Sequence, residues 1–202
     1  MQALVTGGGG FLGKAIIKRL RARGDKVRSF SRNPHPALIE LGVEHCCGEL
    51  GDAEAVMRAA QGCDIVFHVA AKAGVWGPYE EFYRANVLGT KNVMAACRHH
   101  AIKRLVFTSS PSVVFDGTDM DGVDESVPYP DHFEAFYPQT KAEAEQLILQ
   151  ANDQTLATVA LRPHLIWGPE DNHLVPRILE RGAFAAALKN TWHQVIIFRP
   201  PD

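Results

Sequence analysis

The sequence predicts an α/β fold, a parallel sheet covered by helices on both faces, and three observations carry that reading. Short apolar runs alternate with helical patterns along nearly the whole chain, without repeats or low-complexity segments. A glycine-rich stretch, TGGGGFLG (6–13), sits between the first apolar run and the first helical pattern. The 202 residues, 46% hydrophobic and 22% charged, suffice for one sizeable domain with a real core. Ligands of such sheets bind outside the carboxyl ends of the strands.

The elements follow in order. ALVT (3–6) reads as a buried strand, and FLGKAIIKRLRARG (11–24) as a helix closed by Gly24. KVRSFSR (26–32) is the second strand and VEHCC (43–47) the third, with Asp52 placed to cap the helix after it. DIVFHVAA (64–71) is the fourth strand, and residues 79–99 form one long helix. Its apolar stripe, Tyr79, Phe82, Tyr83, Val87, Val93, Met94 and Cys97, also contains Asn86. A buried Asn needs hydrogen-bond partners, and local backbone could supply them. RLVFTSS (104–110) is the fifth strand, ATVALRP (157–163) the sixth, and VIIF (195–198) a candidate edge strand.

Between the last two long strands, FYPQTKAEAEQLILQ (136–150) carries a helix over 137–151. Pro138 suits a first turn, where a missing N–H costs little, and good helix formers follow. Tyr137, Lys141, Ala144 and Ile148 share one stripe, opposite Gln139, Glu143, Gln146 and Gln150. Lys141 therefore faces inward, where a lysine either has a partner or snorkels to the rim.

Bulk properties exclude several classes. A net charge of −2 gives no footprint for nucleic acid or an anionic membrane. No apolar run reaches the ~18 residues of a membrane span. MQALVTGGGG has no basic n-region, so no signal peptide is read and the expected location is the cytoplasm. The four cysteines (Cys46, Cys47, Cys63, Cys97) show no CxxC spacing and read as buried thiols in a reducing compartment. The nine histidines form no metal pattern, and no metal site is expected.

The glycine stretch points to a dinucleotide. Gly7, Gly10 and Gly13 allow a tight turn and close approach of a diphosphate, with Phe11 and Leu12 opening a helix whose free N–H groups attract the anion. This makes the fold Rossmann-type and doubly wound. Cofactor choice is written at the end of the second strand, where Ser31 and Arg32 stand in place of a carboxylate. Arginine accommodates a 2′-phosphate, so NADP(H) is favoured and NAD(H) is the alternative. Glu49 and Leu50, after the third strand, fall on the adenine side; Glu49 reads equally as a surface carboxylate.

Thr6 to Gly13, HVAA (68–71), NVLGTKN (86–92), TSS (108–110), Tyr137-x-x-x-Lys141 and RPHLIWGP (162–169) together resemble the extended short-chain dehydrogenase/reductase family. The match runs in order from residue 2 to about 181. AAKAGVWG (70–77), SSPSVVFDG (109–117) and LATVALRPHLIWGPED (156–171) resemble its 3β-hydroxysteroid dehydrogenase branch, and within it the bacterial 2-alkyl-3-oxoalkanoate reductases. Sterol-4-carboxylate dehydrogenases are similar too.

The resemblance implies an NADP-dependent oxidoreductase that reduces the 3-oxo group of a bulky 2-alkyl-3-oxo acid. Tyr137 would deliver the proton, and Lys141 would lower its pKa and hold the nicotinamide ribose. Ser110 is the favoured third donor, with Ser109 and Ser112 open; Asn86 would support the site through Lys141 or water. Ala70, Ala71, Lys72 and Pro163 would line the cofactor, Lys72 meeting a diphosphate or a substrate carboxylate. Trp76 and Phe115 are candidates for an apolar acyl pocket or for the core. The implied partner is a small hydrophobic carboxylic acid or a sterol, without nucleic acid, and a homodimer is compatible with the resemblance. A 3β-hydroxysteroid or sterol-4-carboxylate dehydrogenase is the enzyme alternative, and a non-catalytic dinucleotide-binding fragment the other.

Two regions are expected: a dinucleotide-binding domain at 1–170, and a remnant of a substrate region at 171–202. The resembling family continues for roughly 100 further residues, and GAFAAALKNTWHQVIIFRPPD (182–202) departs from its pattern. A truncated or frame-shifted product lacking most of the substrate domain is the expectation, an unusual natural end the alternative.

Overall fold

The computed structural model describes residues 1–74 and 76–171, together with the backbone of 195–198. The expected remnant at 171–202 therefore lies outside the described residues, apart from Asp171 and that short segment. Strands β1 (Gln2–Thr6), β2 (Lys26–Ser31), β3 (Glu44–Cys47), β4 (Ile65–His68), β5 (Arg104–Thr108) and β6 (Ala157–Pro163) are all parallel. A seventh, β7 (Val195–Phe198), runs antiparallel against β6, as suits an edge. The order is β3-β2-β1-β4-β5-β6-β7, so the winding reverses between β1 and β4. That reversal opens the crevice in which doubly wound sheets bind ligands.

Alternation along the strands sends side chains to two cores. Ala3, Val5, Val27 and Ile65 pack under α1 (Phe11–Ala22) and α2 (Pro36–Glu40), through Ile17, Leu20 and Leu38. Leu4, Phe30, Val66, Phe107 and Ala160 face the other way, toward α3 (Ala53–Ala60), α5 (Gly89–His99) and α6 (Phe136–Gln150). Asp52 caps α3 as its sequence position predicts, accepting from the Ala55 N–H at 3.0 Å.

Four expectations need correction. The long helix at 79–99 is three pieces: α4 (Tyr79–Phe82), a π-helical turn over Tyr83–Leu88, and α5. Helical periodicity is blind to one inserted residue, yet such turns cluster at functional sites. β4 ends at His68 and β5 at Thr108, because residues 69–71 and 109–110 leave the ladder to wall a cavity. α2 is an addition to the expected elements; it is five residues long, too short for a periodic signal, and starts on Pro36. Cys63 and Cys97 are buried, but Cys47 is exposed and Cys46 only half-buried.

Candidate active site

A cavity of about 950 Å³ follows the carboxyl ends of the strands. At one end the glycine loop shapes it. Gly7 has φ +70°, and a Cβ there would stand 2.9 Å from the Ala70 Cα. A Cβ on Gly13 would stand 2.2 Å from the Gly7 carbonyl oxygen. Only glycine leaves this cradle open, and α1 points its first N–H groups into it. These residues fit a dinucleotide diphosphate.

Every residue expected to bind cofactor, with one exception, lines this cavity. Gly7, Gly10, Phe11, Leu12 and Gly13 form the cradle; Arg32, Glu49 and Leu50 lie beyond β2 and β3. Ala70, Ala71 and Lys72 follow β4, while Pro163 ends β6 and Tyr137 begins α6. The exception is Lys141, which is only 2% exposed and sits behind the wall. Its ammonium donates to the Thr108 carbonyl oxygen at 2.6 Å and stands over the Phe107 ring. Burial pushes Lys141 down to about 7, with Glu145 opposing that shift.

Tyr137 and Ser110 line the same stretch of wall. The expectation of a phenol pKa depressed by Lys141 is not met. Burial instead pushes Tyr137 above its ordinary value, and the Ser110 hydroxyl beside it is the opposing influence. The Ser110 Oγ also lies 2.8 Å from Ser112 Oγ and accepts from the Ser112 N–H at 3.2 Å, at the start of a 3-10 turn over Pro111–Val113. Ser109 lines the cavity too, with a buried Oγ that has no protein partner, whereas Ser112 stands outside the lining.

Asn86 is buried on the π-helical turn, but its partners differ from those expected. Its Oδ1 accepts from the Lys72 N–H at 2.7 Å; its Nδ2 donates to the Lys72 carbonyl oxygen at 3.1 Å and to Thr140 Oγ1 at 3.0 Å. It ties the loop after β4 to α6 and makes no direct bond to Lys141. The Lys72 ammonium pairs with Glu81 at 2.7 Å, at the cavity margin. Trp76 and Phe115 are 88% and 54% exposed, so neither joins the core nor lines the cavity.

The sequence reading passes over Arg84 and Glu81, which line the cavity from the helical segment after the glycine-rich 74–77 loop. Arg84 stands 3.7 Å from Glu49, on the adenine side. Their signal is the polar face of a helix read only for its apolar stripe. Among the described residues no helix is long and apolar enough to cross a membrane.

Comparison with known proteins agrees with this geometry. Residues 4–195 match the model of the 3-beta hydroxysteroid dehydrogenase/isomerase family. The chain is 55% identical over 184 residues to a 2-alkyl-3-oxoalkanoate reductase of Stenotrophomonas maltophilia, covering 90% of this chain and 56% of the relative. It is 54% identical over 188 residues to the enzyme of that description from Shewanella oneidensis, covering 90% and 49%. The chain thus spans about half the length of these curated relatives. Among solved structures, the UDP-glucose 4-epimerase of Thermus thermophilus in complex with NAD is 30% identical, covers 91% of this chain and 61% of its own, and superposes with a TM-score of 0.74.

Proposed function

The chain belongs to the 3-beta hydroxysteroid dehydrogenase/isomerase family, and from that premise we propose that it reduces the 3-oxo group of a bulky 2-alkyl-3-oxo acid with NADPH. The observation that carries this reading is the pairing of Tyr137 and Ser110 on one wall of a cavity whose far end is the glycine cradle. The similarity to two 2-alkyl-3-oxoalkanoate reductases supports the substrate class. Arg32 and Arg84, both on the adenine side, favour the 2′-phosphate of NADP.

The reduced nicotinamide, when bound, supplies the hydride. Ser110 donates a hydrogen bond to the substrate oxygen as charge grows on it. Tyr137, with its phenol pKa raised, stays protonated at neutral pH and gives that oxygen its proton. Lys141, one helical turn on, supports the phenolate left behind. Asn86 keeps the loop after β4 at a fixed distance from α6. Phe136, 42% exposed beside Tyr137, meets the rings of Tyr79 and Phe82 and offers apolar surface to a long alkyl chain.

The test is NADPH oxidation by the purified chain with a 2-alkyl-3-oxo acid, compared with a 3-ketosteroid. Tyr137→Phe is expected to lose at least about 100-fold in turnover while keeping NADPH affinity. Full turnover in that variant removes Tyr137 as the acid. Preference for the ketosteroid favours the sterol reading that the family name suggests. NADPH binding without oxidation of either substrate leaves the dinucleotide-binding reading.

A further inference from the structure

Five polar side chains behind the cavity wall join into one chain of hydrogen bonds, and their donors and acceptors fix its direction. Thr6 Oγ1 accepts from the N–H groups of Val69 and Ala70, both at 3.1 Å. Its two lone pairs are then taken, so its single proton goes to His68 Nδ1 at 2.8 Å. His68 Nδ1 is thus the acceptor, and the ring proton sits on Nε2, which donates to Thr90 Oγ1 at 3.0 Å. Thr90 donates onward to the Asn86 carbonyl oxygen at 2.6 Å. The Asn86 side chain clamps the Lys72 backbone and donates to Thr140, whose hydroxyl donates to the Phe136 carbonyl oxygen at 2.7 Å. Thr6, His68, Asn86, Thr90 and Thr140 are all 2% exposed or less.

The chain begins beside Gly7, runs under Ala70–Lys72, which floor the cavity, and ends one residue before Lys141. We infer that His68 is a positioning residue, held as the neutral Nε2–H tautomer, which with Thr90 fixes the cofactor floor relative to the helix that carries Tyr137 and Lys141. This rests on the reductase reading for its effect on turnover, but not for the tautomer. A second proton on Nδ1 would face a hydroxyl with no lone pair left to receive it. Burial holds the imidazole down to about 3, and the neighbouring charge that acts on the ring, Lys141, is also positive and adds to that shift. The histidine nearest the site is therefore excluded from acid–base work and serves as a two-ended strut. The sequence hides it: a polar His inside HVAA looks like one more strand residue.

The experiment uses the full chain labelled with 15N-histidine, with Thr90→Val and Thr90→Ser as variants. The His68 ring is expected to show the Nε2–H pattern unchanged from about pH 8 to about pH 5. An Nδ1–H pattern, or titration within that range, overturns the inference. Thr90→Val is expected to bind NADPH within about twofold of the original chain but to turn over 2-alkyl-3-oxo acid about tenfold more slowly, with Thr90→Ser restoring the rate. An unchanged rate in Thr90→Val, or affinity and rate falling in step, rejects the positioning role. If the original chain shows no turnover, the reductase reading is what fails. The emission of bound NADPH then decides: a shift in Thr90→Val absent from Thr90→Ser supports positioning, and identical spectra reject it.

Discussion

The Lys141 ammonium donates to the Thr108 carbonyl oxygen across 2.6 Å and lies 3.9 Å from the centre of the Phe107 ring. The last residue of β5 thus holds the cation that the proposed chemistry needs. Neither contact involves a carboxylate, so the charge is poorly compensated and its pKa falls to about 7.

That value sets a pH dependence. Tyr137 is pushed up and keeps its proton, so it does not limit the alkaline side. The cation at Lys141 is lost as pH rises through about 7. The rate of ketone reduction is therefore expected to decline above about pH 7, and a rate flat to about pH 9 would contradict the role of the ammonium.

Stability follows the same group. An unfolded lysine keeps its proton up to its ordinary value of 10.5, whereas the folded one releases it near 7. Between these values the unfolded chain binds more protons, so stability rises with pH across that window. Below it, the cost of the buried charge is fully present. Lys141→Met should be inactive but more stable than the original chain by on the order of 2 kcal/mol at about pH 6, with the gap closing toward about pH 10. Denaturant melts at the two pH values check this.

Arg32 is exposed at the adenine end of the cavity. Arg32→Ala should weaken NADPH about tenfold or more while leaving NADH within about twofold, measured by fluorescence titration. Equal losses for both coenzymes would reject a phosphate-binding role. Arg84 is the nearby cation to replace next.

Glu145 and Arg162 form a buried ion pair joining α6 to β6, and the Tyr129 hydroxyl donates to Glu145 at 2.7 Å. Glu145→Ala leaves a buried guanidinium without its carboxylate and should cost about 3–5 kcal/mol. Replacing both residues with Met should cost less than the single change. Urea unfolding of the three proteins decides; equal or greater loss in the double variant would mean the pair is a net stabiliser.

At the rim of the fold, Asp52→Ala should cost about 1 kcal/mol by freeing the Ala55 N–H, with NADPH affinity unchanged. The same melts read the first effect and titration the second.

What can be read from residues alone is whatever one motif or one period encodes. The six parallel strands, the cradle around Gly7 and Gly13, and the Tyr137–Lys141 spacing all belong to that class. Glu145 escapes notice because a glutamate in a helix reads as solvent-facing until its arginine, 17 residues on, is brought beside it. The partners of Asn86 are hidden for a similar reason: Lys72 and Thr140 meet it only once the chain has folded. The direction of the Tyr137 shift runs against expectation because spacing along a helix reports reach, not burial.

The π-helical turn at Tyr83–Leu88 has a consequence for how this chain tolerates length changes. One residue removed there would restore ordinary winding and rotate everything downstream by about 100°. Either the aromatic face of α4 or the core face of α5, with Val93, Ala96 and Cys97, would swing toward solvent. Indels are thus barred from a surface helix that composition alone would rank among the permissive segments.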